Sequence, residues 1–286
     1  MTNTDPGAPE YEFDWQDPNR KSFDVGRVVS KTFLALRSNP VPFLLLTLIG
    51  AGIPMMLFSF WPVLLGVGDG INIYDPTWTE DIEWDGIIGA AIGVYVVWMM
   101  LAVILYGALI EMSVNALNER PVHLGGSIRT GLRFFFPMLI IMIICVIATI
   151  IGFMLLIVPG IIIALGWSLA WHVKVIEGET VSGSLSRAWS LSKGYKRWIL
   201  LMMIIFGVLG AIIGLVFQIP VLFFGNAQTA VIEGGSTGFW IANAVASGLS
   251  QMVAAALSYV GLTATYLEIR RVKEGVDSDK IADIFN

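Results

Sequence analysis

Long apolar runs alternate with short polar stretches along most of this chain. Six runs are long enough to cross a hydrocarbon core about 30 Å thick, which takes ~20 helical residues. They fall at about 41–66, 86–110, 136–157, 160–177, 199–224 and 240–266. The pattern predicts an all-α polytopic integral membrane protein with six transmembrane helices. The polar remainder gives a Pro- and acid-rich tail over 1–21, expected to be disordered, and a tail over 271–286, flanking a membrane domain over 22–270. Between the third and fourth runs stands only "VPG". Pro159-Gly160 is expected to reverse the chain there, because Pro ends a helix and Gly accepts the turn. A single kinked helix is the competing reading, and the combined length favours two spans.

Composition agrees with this picture. The 286 residues are 56% hydrophobic and 14% charged, with mean hydropathy +0.76, whereas soluble domains are about 25% charged. The net charge of -5 matters less than where the charges fall. All 17 basic residues lie on one side of the six-span layout: before span one, between spans two and three, between four and five, and after six. Loops 67–85 and 225–239 have none, and the first of them is acidic. Basic loops stay in the cytoplasm, so both termini are expected there, in a multi-pass protein of a bacterial inner membrane. The polar or amphipathic first forty residues argue against a cleavable leader. Cys145, the sole cysteine, forbids an intramolecular disulfide and reads as a packed, inert thiol.

Three stretches on the basic side share a character: "FDVGRVVSKTFLALRSNP", "HLGGSIRTGLRFFFP" and "VSGSLSRAWSLSKGYKRW". Each starts with small or polar residues, carries basic residues at helical spacing and runs into a span. The chain thus reads as three units of amphipathic interfacial helix plus two-span hairpin. In the third stretch, Val181, Leu185, Ala188, Trp189, Leu191 and Tyr195 share one arc at 100° per residue. Ser182, Ser186, Arg187, Ser190, Lys193 and Arg197 share the other. This predicts a helix over 181–193, ended near Gly194, lying in the cytoplasmic headgroup layer. Its candidate contacts to lipid phosphate are Arg187, Lys193, Lys196 and Arg197.

Few polar residues suggest chemistry. Glu111, Glu177 and Glu268 fall near the basic ends of spans and read as solvated or ion-paired. Lys174 is placed to snorkel. His172 and His123 are isolated from one another, which makes a zinc site improbable. The acids of loop 67–85 lack the spacing of a calcium loop. Gln251 stands nearest a bilayer midplane, beside a small-residue stripe of Ala242, Ala246, Ser250, Ala254 and Ser258. That stripe reads as a helix contact, with Ser and Gln adding hydrogen bonds, and Gly89/Gly93 and Gly210/Gly214 offer matching faces. Trp61, Trp84, Trp198 and Trp240 read as interfacial anchors. No nucleophile–base set, phosphate-binding loop or nucleotide fingerprint is present, so no catalytic residue, cofactor or metal is expected.

The stretch "IVPGIIIALGWSLAWHVKVIEGETVSGSLSRAWSLSKGYKRW" and the ending "ATYLEIRRVKEG" resemble the glycerophosphoryl diester phosphodiesterase membrane-domain family and related bacterial membrane proteins. Pro159, Gly160, Trp167, Glu177, Gly178, Leu185, Arg187, Leu191, Lys193, Gly194, Tyr266, Arg270, Glu274 and Gly275 carry the resemblance, which spans residues 22–280. It implies an integral inner-membrane protein. The catalytic barrel that follows this region in full-length members would need some two hundred further residues, so phosphodiesterase activity is not expected. The leading expectation is a non-enzymatic membrane protein with a structural, lipid-associated or partner-binding role. The alternatives are a small transporter or channel and, more weakly, a headgroup-modifying enzyme using Glu177 with Arg187. The partners implied are membrane lipids, anionic ones above all, and a homo-oligomer or membrane-protein partner; no nucleic acid is expected.

Overall fold

The computed structural model describes residues 22–60, 84–224 and 237–275. The tail over 1–21 and nearly all of the loops at 67–85 and 225–239 lie outside the described residues. Every element within them is helical: α1 (Val25–Ser38), α2 (Pro40–Thr47), α3 (Ile53–Ser59), α4 (Trp84–Leu117), α5 (Leu124–Leu155), α6 (Ile157–Trp167), α7 (Ala170–Glu177), α8 (Val181–Ser192), α9 (Lys196–Gln218) and α10 (Thr237–Glu274). Six stretches are long and apolar enough to cross a membrane: Pro40–Ser59, Ala91–Leu117, Leu124–Leu155, Ile157–Glu177, Lys196–Phe223 and Thr237–Glu274. The protein is an all-α, multi-pass membrane protein. At 1.5 Å per residue, the 38 residues of α10 extend ~57 Å, well beyond a hydrocarbon core. α10 is the spine of the fold and packs on α1, α3, α4 and α9.

The first span holds a local irregularity with a clear cause. Pro54 has no N–H, so the carbonyl four residues earlier, at Gly50, loses its helical donor. The chain answers with a π-helical turn over Leu48–Gly52, and Trp98 Nε1 on α4 donates to the Gly50 carbonyl at 2.9 Å. The freed acceptor is thereby satisfied inside the bundle, as a membrane interior requires.

The third and fourth spans are separate helices packed side by side. Their break is at Leu156, which is extended (φ -165°, ψ 155°), and not at Pro159-Gly160. Pro159 sits in the first turn of α6, where a missing N–H costs nothing. Gly160 lets the backbones close: a Cβ there would lie 2.6 Å from the Phe153 ring, and one on Gly152 would lie 2.9 Å from Gly160 Cα. The fourth span is itself interrupted between α6 and α7 at Ser168–Leu169.

The middle of the small-residue stripe on α10, Ser250 and Ala254, meets α9, whereas Ser258 at its end is exposed. A Cβ on Gly210 would sit 2.9 Å from Ala254 Cβ, and Ser250 Oγ donates to the Gly214 carbonyl at 3.4 Å and to Ala246 at 2.7 Å. Gly89 and Gly93, by contrast, face open space. Gln251 is exposed and takes no part in the contact. The interhelical amide bond comes instead from Gln218 Nε2, which donates to Ser247 Oγ at 3.3 Å. Trp240 is buried with Phe239 and Val221 in a small cluster of its own, so it packs within the protein. The side chains of Trp61 and Trp84 lie outside the described residues.

The three basic stretches differ in form. The first and third are distinct helices, α1 and α8. The second runs without a break into its span as α5, which continues through Pro137.

Candidate functional site

The family-motif residues converge at the basic end of the bundle. α7 ends at Glu177, and Gly178 takes the left-handed conformation (φ +70°) that a Cβ would oppose. Thr180 then caps α8, its Oγ1 accepting from Gly183 N at 3.1 Å. This sharp corner points Arg187 back at Glu177. Across from it, Tyr266, Arg270 and Glu274 stand at i, i+4 and i+8 on α10, one face of that helix.

The corner and the stripe interlock. Arg187 Nε donates to Glu177 Oε2 at 2.9 Å, and its other nitrogen pairs with Glu274. The Tyr266 hydroxyl donates to Glu177 Oε1 at 2.6 Å. Arg270 Nε donates to Glu274 Oε2 at 3.1 Å, and its NH1 lies 3.7 Å from Glu177 Oε1. Two carboxylates, two guanidiniums and one phenol therefore form a closed ring joining α7, α8 and α10. Partial burial alone would depress the Arg187 guanidinium; the hydrogen bonds and charges of Glu177 and Glu274 outweigh it and hold the group above its ordinary range.

A second cluster ties α1 to the same spine. Glu268 Oε1 accepts from the Asp24 backbone N–H at 3.3 Å and lies 3.7 Å from Arg27 Nε, while Arg271 pairs with Glu268 Oε2 at 3.3 Å. Asp24 caps α1, accepting from Arg27 N at 3.1 Å. Glu177 and Glu268 are thus ion-paired ends, as read. Glu111 is not: it is buried, with no ion pair among the described residues.

α8 buries Ser184, Ala188, Leu191 and Ser192, a face rotated from the aromatic arc the sequence suggested. Ser192 Oγ donates to the Gly166 carbonyl at 3.1 Å, and Trp189 packs on Gly166 and beside Trp167. α8 is therefore seated on α6 and α7, and Trp189 keeps 38% of its surface exposed. Lys273 on α10 caps its last turn by donating to the carbonyls of Ser190, Leu191 and Lys193. Gly194 (φ +87°) ends the helix where expected.

The four candidate phosphate contacts fare differently. Arg187 is turned inward and neutralised. Lys196 stands 3.7 Å over the Trp189 ring and donates to the Ile162 carbonyl at 3.2 Å. Lys193 and Arg197 are exposed, Arg197 5.3 Å from the Trp198 ring centroid. Lys174 does not snorkel outward but donates to the Glu179 carbonyl. His172 is fully buried, stacked on Tyr266 at 5.7 Å, and no cluster of three His, Cys, Asp or Glu able to hold a metal occurs among the described residues. The Tyr-Arg-Glu face of α10 was visible in the sequence as three positions of one ending; its pairing with Glu177 and Arg187, some 90 residues away, was not.

Compared with protein-family models, with curated proteins and with solved structures, the chain has no match in any of the three. What the fold defines is the class stated above, a multi-pass helical membrane protein.

Proposed function

We propose that the chain is a non-enzymatic inner-membrane protein with both termini in the cytoplasm, whose basic end rests on anionic lipid. The observation that carries this is the closure of the Glu177–Arg187–Glu274–Arg270 ring. Glu177 accepts from a phenol and a guanidinium on its two oxygens, so both oxygens are engaged within the clasp, and a general base in this state would first have to loosen its partners. The ring works as a clasp that fixes α8 against α10. It leaves Lys193 and Arg197 exposed beside the half-exposed Trp189, the pairing of cation and aromatic that suits a headgroup layer. Membership of the glycerophosphoryl diester phosphodiesterase membrane-domain family, proposed from the resemblance of these residues alone, would make Glu177, Gly178, Arg187, Gly194 and Arg270 structural residues of that module.

Lipid retained through purification tests it. Lys193→Glu with Arg197→Glu should lower the anionic lipid that co-purifies, less so at high salt. Unchanged retention in both salts would remove the lipid role. For orientation, with Cys145 replaced, single cysteines at Asp81 and Ser236 should react with an impermeant thiol reagent from outside, and one at Ser190 should not. The inverse labelling would reverse the topology.

A transporter is the second reading, favoured by the interruption of the fourth span at Ser168–Leu169, because broken helices often border binding sites. Solute flux into proteoliposomes would support it; none would be seen for a purely structural protein.

A further inference from the structure

Glu177, Glu268 and Glu274 each have arginine partners, but Glu111 has no ion pair among the described residues. It lies within the span Ala91–Leu117 with 8% of its surface exposed. Its Oε2 is enclosed without a hydrogen-bond partner, and Thr130 on α5 lies beside the carboxyl. Ser127, also on α5, is fully buried, and its hydroxyl too lacks a partner.

Packing puts these groups on one seam. A Cβ on Gly131 would run into the Ile104 carbonyl and come 3.2 Å from Ala108 N, so the two backbones nearly touch there. Glu111 follows Ala108 by three residues and Ser127 precedes Gly131 by four, each one turn along the same face of its helix. The charged groups on the neighbouring helices have other partners, although one buried nitrogen of Arg27, NH1, has no hydrogen bond. Arg27 on α1 holds Asp24 and Glu268, and Glu268 on α10 also holds Arg271. Lys174 on α7 reaches the same α5 face, 5.7 Å from the Phe134 ring centroid, but donates to the Glu179 carbonyl. Arg133 lies over the same ring at 5.5 Å.

A carboxylate taken out of water needs a compensating charge. We propose that the α4–α5 seam binds a small monovalent cation through the Glu111 carboxylate and the hydroxyl oxygens of Ser127 and Thr130. Oxygen donors alone suit a hard cation. One carboxylate balances one charge and would leave a divalent ion uncompensated. The near-contact of the backbones at Gly131 excludes a bulky organic cation. This inference does not depend on the lipid reading.

The test uses the full chain in detergent, melted in sodium chloride and in choline chloride at equal ionic strength. A ligand bound only by the folded state stabilises it with concentration, so sodium should raise the melting temperature saturably, by about 3 °C. Glu111→Gln should abolish the difference, and Glu177→Gln, which lies in the clasp, should keep it. Equal melting in the two salts overturns the proposal, as does a sodium response that survives Glu111→Gln. So does an infrared carbonyl band of a protonated acid that vanishes in Glu111→Gln, since that would show the carboxyl neutralised by a proton. Should Glu111→Gln not fold, Ser127→Ala decides: its half-saturating sodium concentration should rise, and an unchanged value overturns the site.

Discussion

Two junctions at the same end of the bundle solve the problem of buried charge in opposite ways. Where α7 and α8 meet α10, Glu177 and Glu274 each have a guanidinium within 4 Å, and the junction is closed by paired side chains. Where α4 meets α5, the backbones themselves close at Gly131, and the one acid on the seam, Glu111, has no basic partner there. The first junction is specified by charge and hydrogen-bond geometry, so it tolerates changes of size but not of polarity. The second is specified by the absence of side chains, so it tolerates changes of polarity better than changes of size.

Substitutions at the two junctions should therefore fail in different ways. The largest effect is expected from Gly131→Leu. Overpacking commonly costs ~1–3 kcal/mol, and here the obstruction is a backbone carbonyl that cannot rotate aside, so loss of the folded protein in detergent is expected. Gly89→Ala, facing open space, should leave the melting temperature unchanged; equal tolerance at both glycines would refute the close-contact account of the seam. Next comes Glu177→Gln. Removing one partner of a buried ion pair costs ~3–5 kcal/mol, and the partial exposure of this ring reduces that to about 2 kcal/mol. A double-mutant cycle with Arg187→Leu should show coupling, whereas additive losses would mean that the two residues act independently.

Tyr266→Phe should cost less, about 1.5 kcal/mol, because it removes one hydrogen bond to a charged acceptor and leaves the ion pairs in place. Thermal melts of Tyr266→Phe alone and with Glu177→Gln read this directly: in the double variant the phenol should no longer matter. The smallest effect on stability is expected from Lys193→Glu with Arg197→Glu. Neither side chain belongs to the clasp, so melting should stay within about 0.5 kcal/mol, while anionic lipid retention drops by ~1 kcal/mol for each basic residue near the leaflet. A large loss of stability with lipid unchanged would mean that these residues belong to the clasp after all.

Much of the fold was legible because membrane solvation imposes it on the sequence. Backbone groups in an apolar layer must bond within their own segment, so uninterrupted apolar runs had to be helices, and the small-residue spacing of Ala246, Ser250 and Ala254 marked a face that another helix can approach closely. The end at Gly194 was likewise readable, since left-handed backbone favours glycine, whereas the corner at Gly178 emerged only in the structure. Less legible was how faces are shared. Gly89 and Gly93 have the same spacing as Gly210 and Gly214, yet only the second pair meets a helix, because spacing states that a face is small and not what lies opposite. The face that α8 packs on the protein was not legible for a related reason. The sequence placed Ser186 and Ser190 on the polar arc and Trp189 on the apolar one facing the lipid layer. The face that α8 turns to α6 and α7 instead carries Ser184 and Ser192 with Ala188 and Leu191, and Ser192 is satisfied there by donating to the Gly166 carbonyl.

The break at Leu156 shows the boundary in one residue. Sequence alone determined that a reversal was needed near "VPG", since nearly forty apolar residues exceed one crossing. It could not decide where, because Pro is as acceptable in the first turn of a new helix as at the end of an old one. The packing of Gly152 on Gly160 decided it. The same division holds for charge. Sorting of basic residues to one side is a property of single positions along the chain, so it could be counted from the sequence. The partners of Glu177, and the lack of any for Glu111, depend on distances of a few ångströms between helices far apart in sequence. Coulomb and hydrogen-bond energies fall off on that scale, so only the tertiary arrangement could assign them.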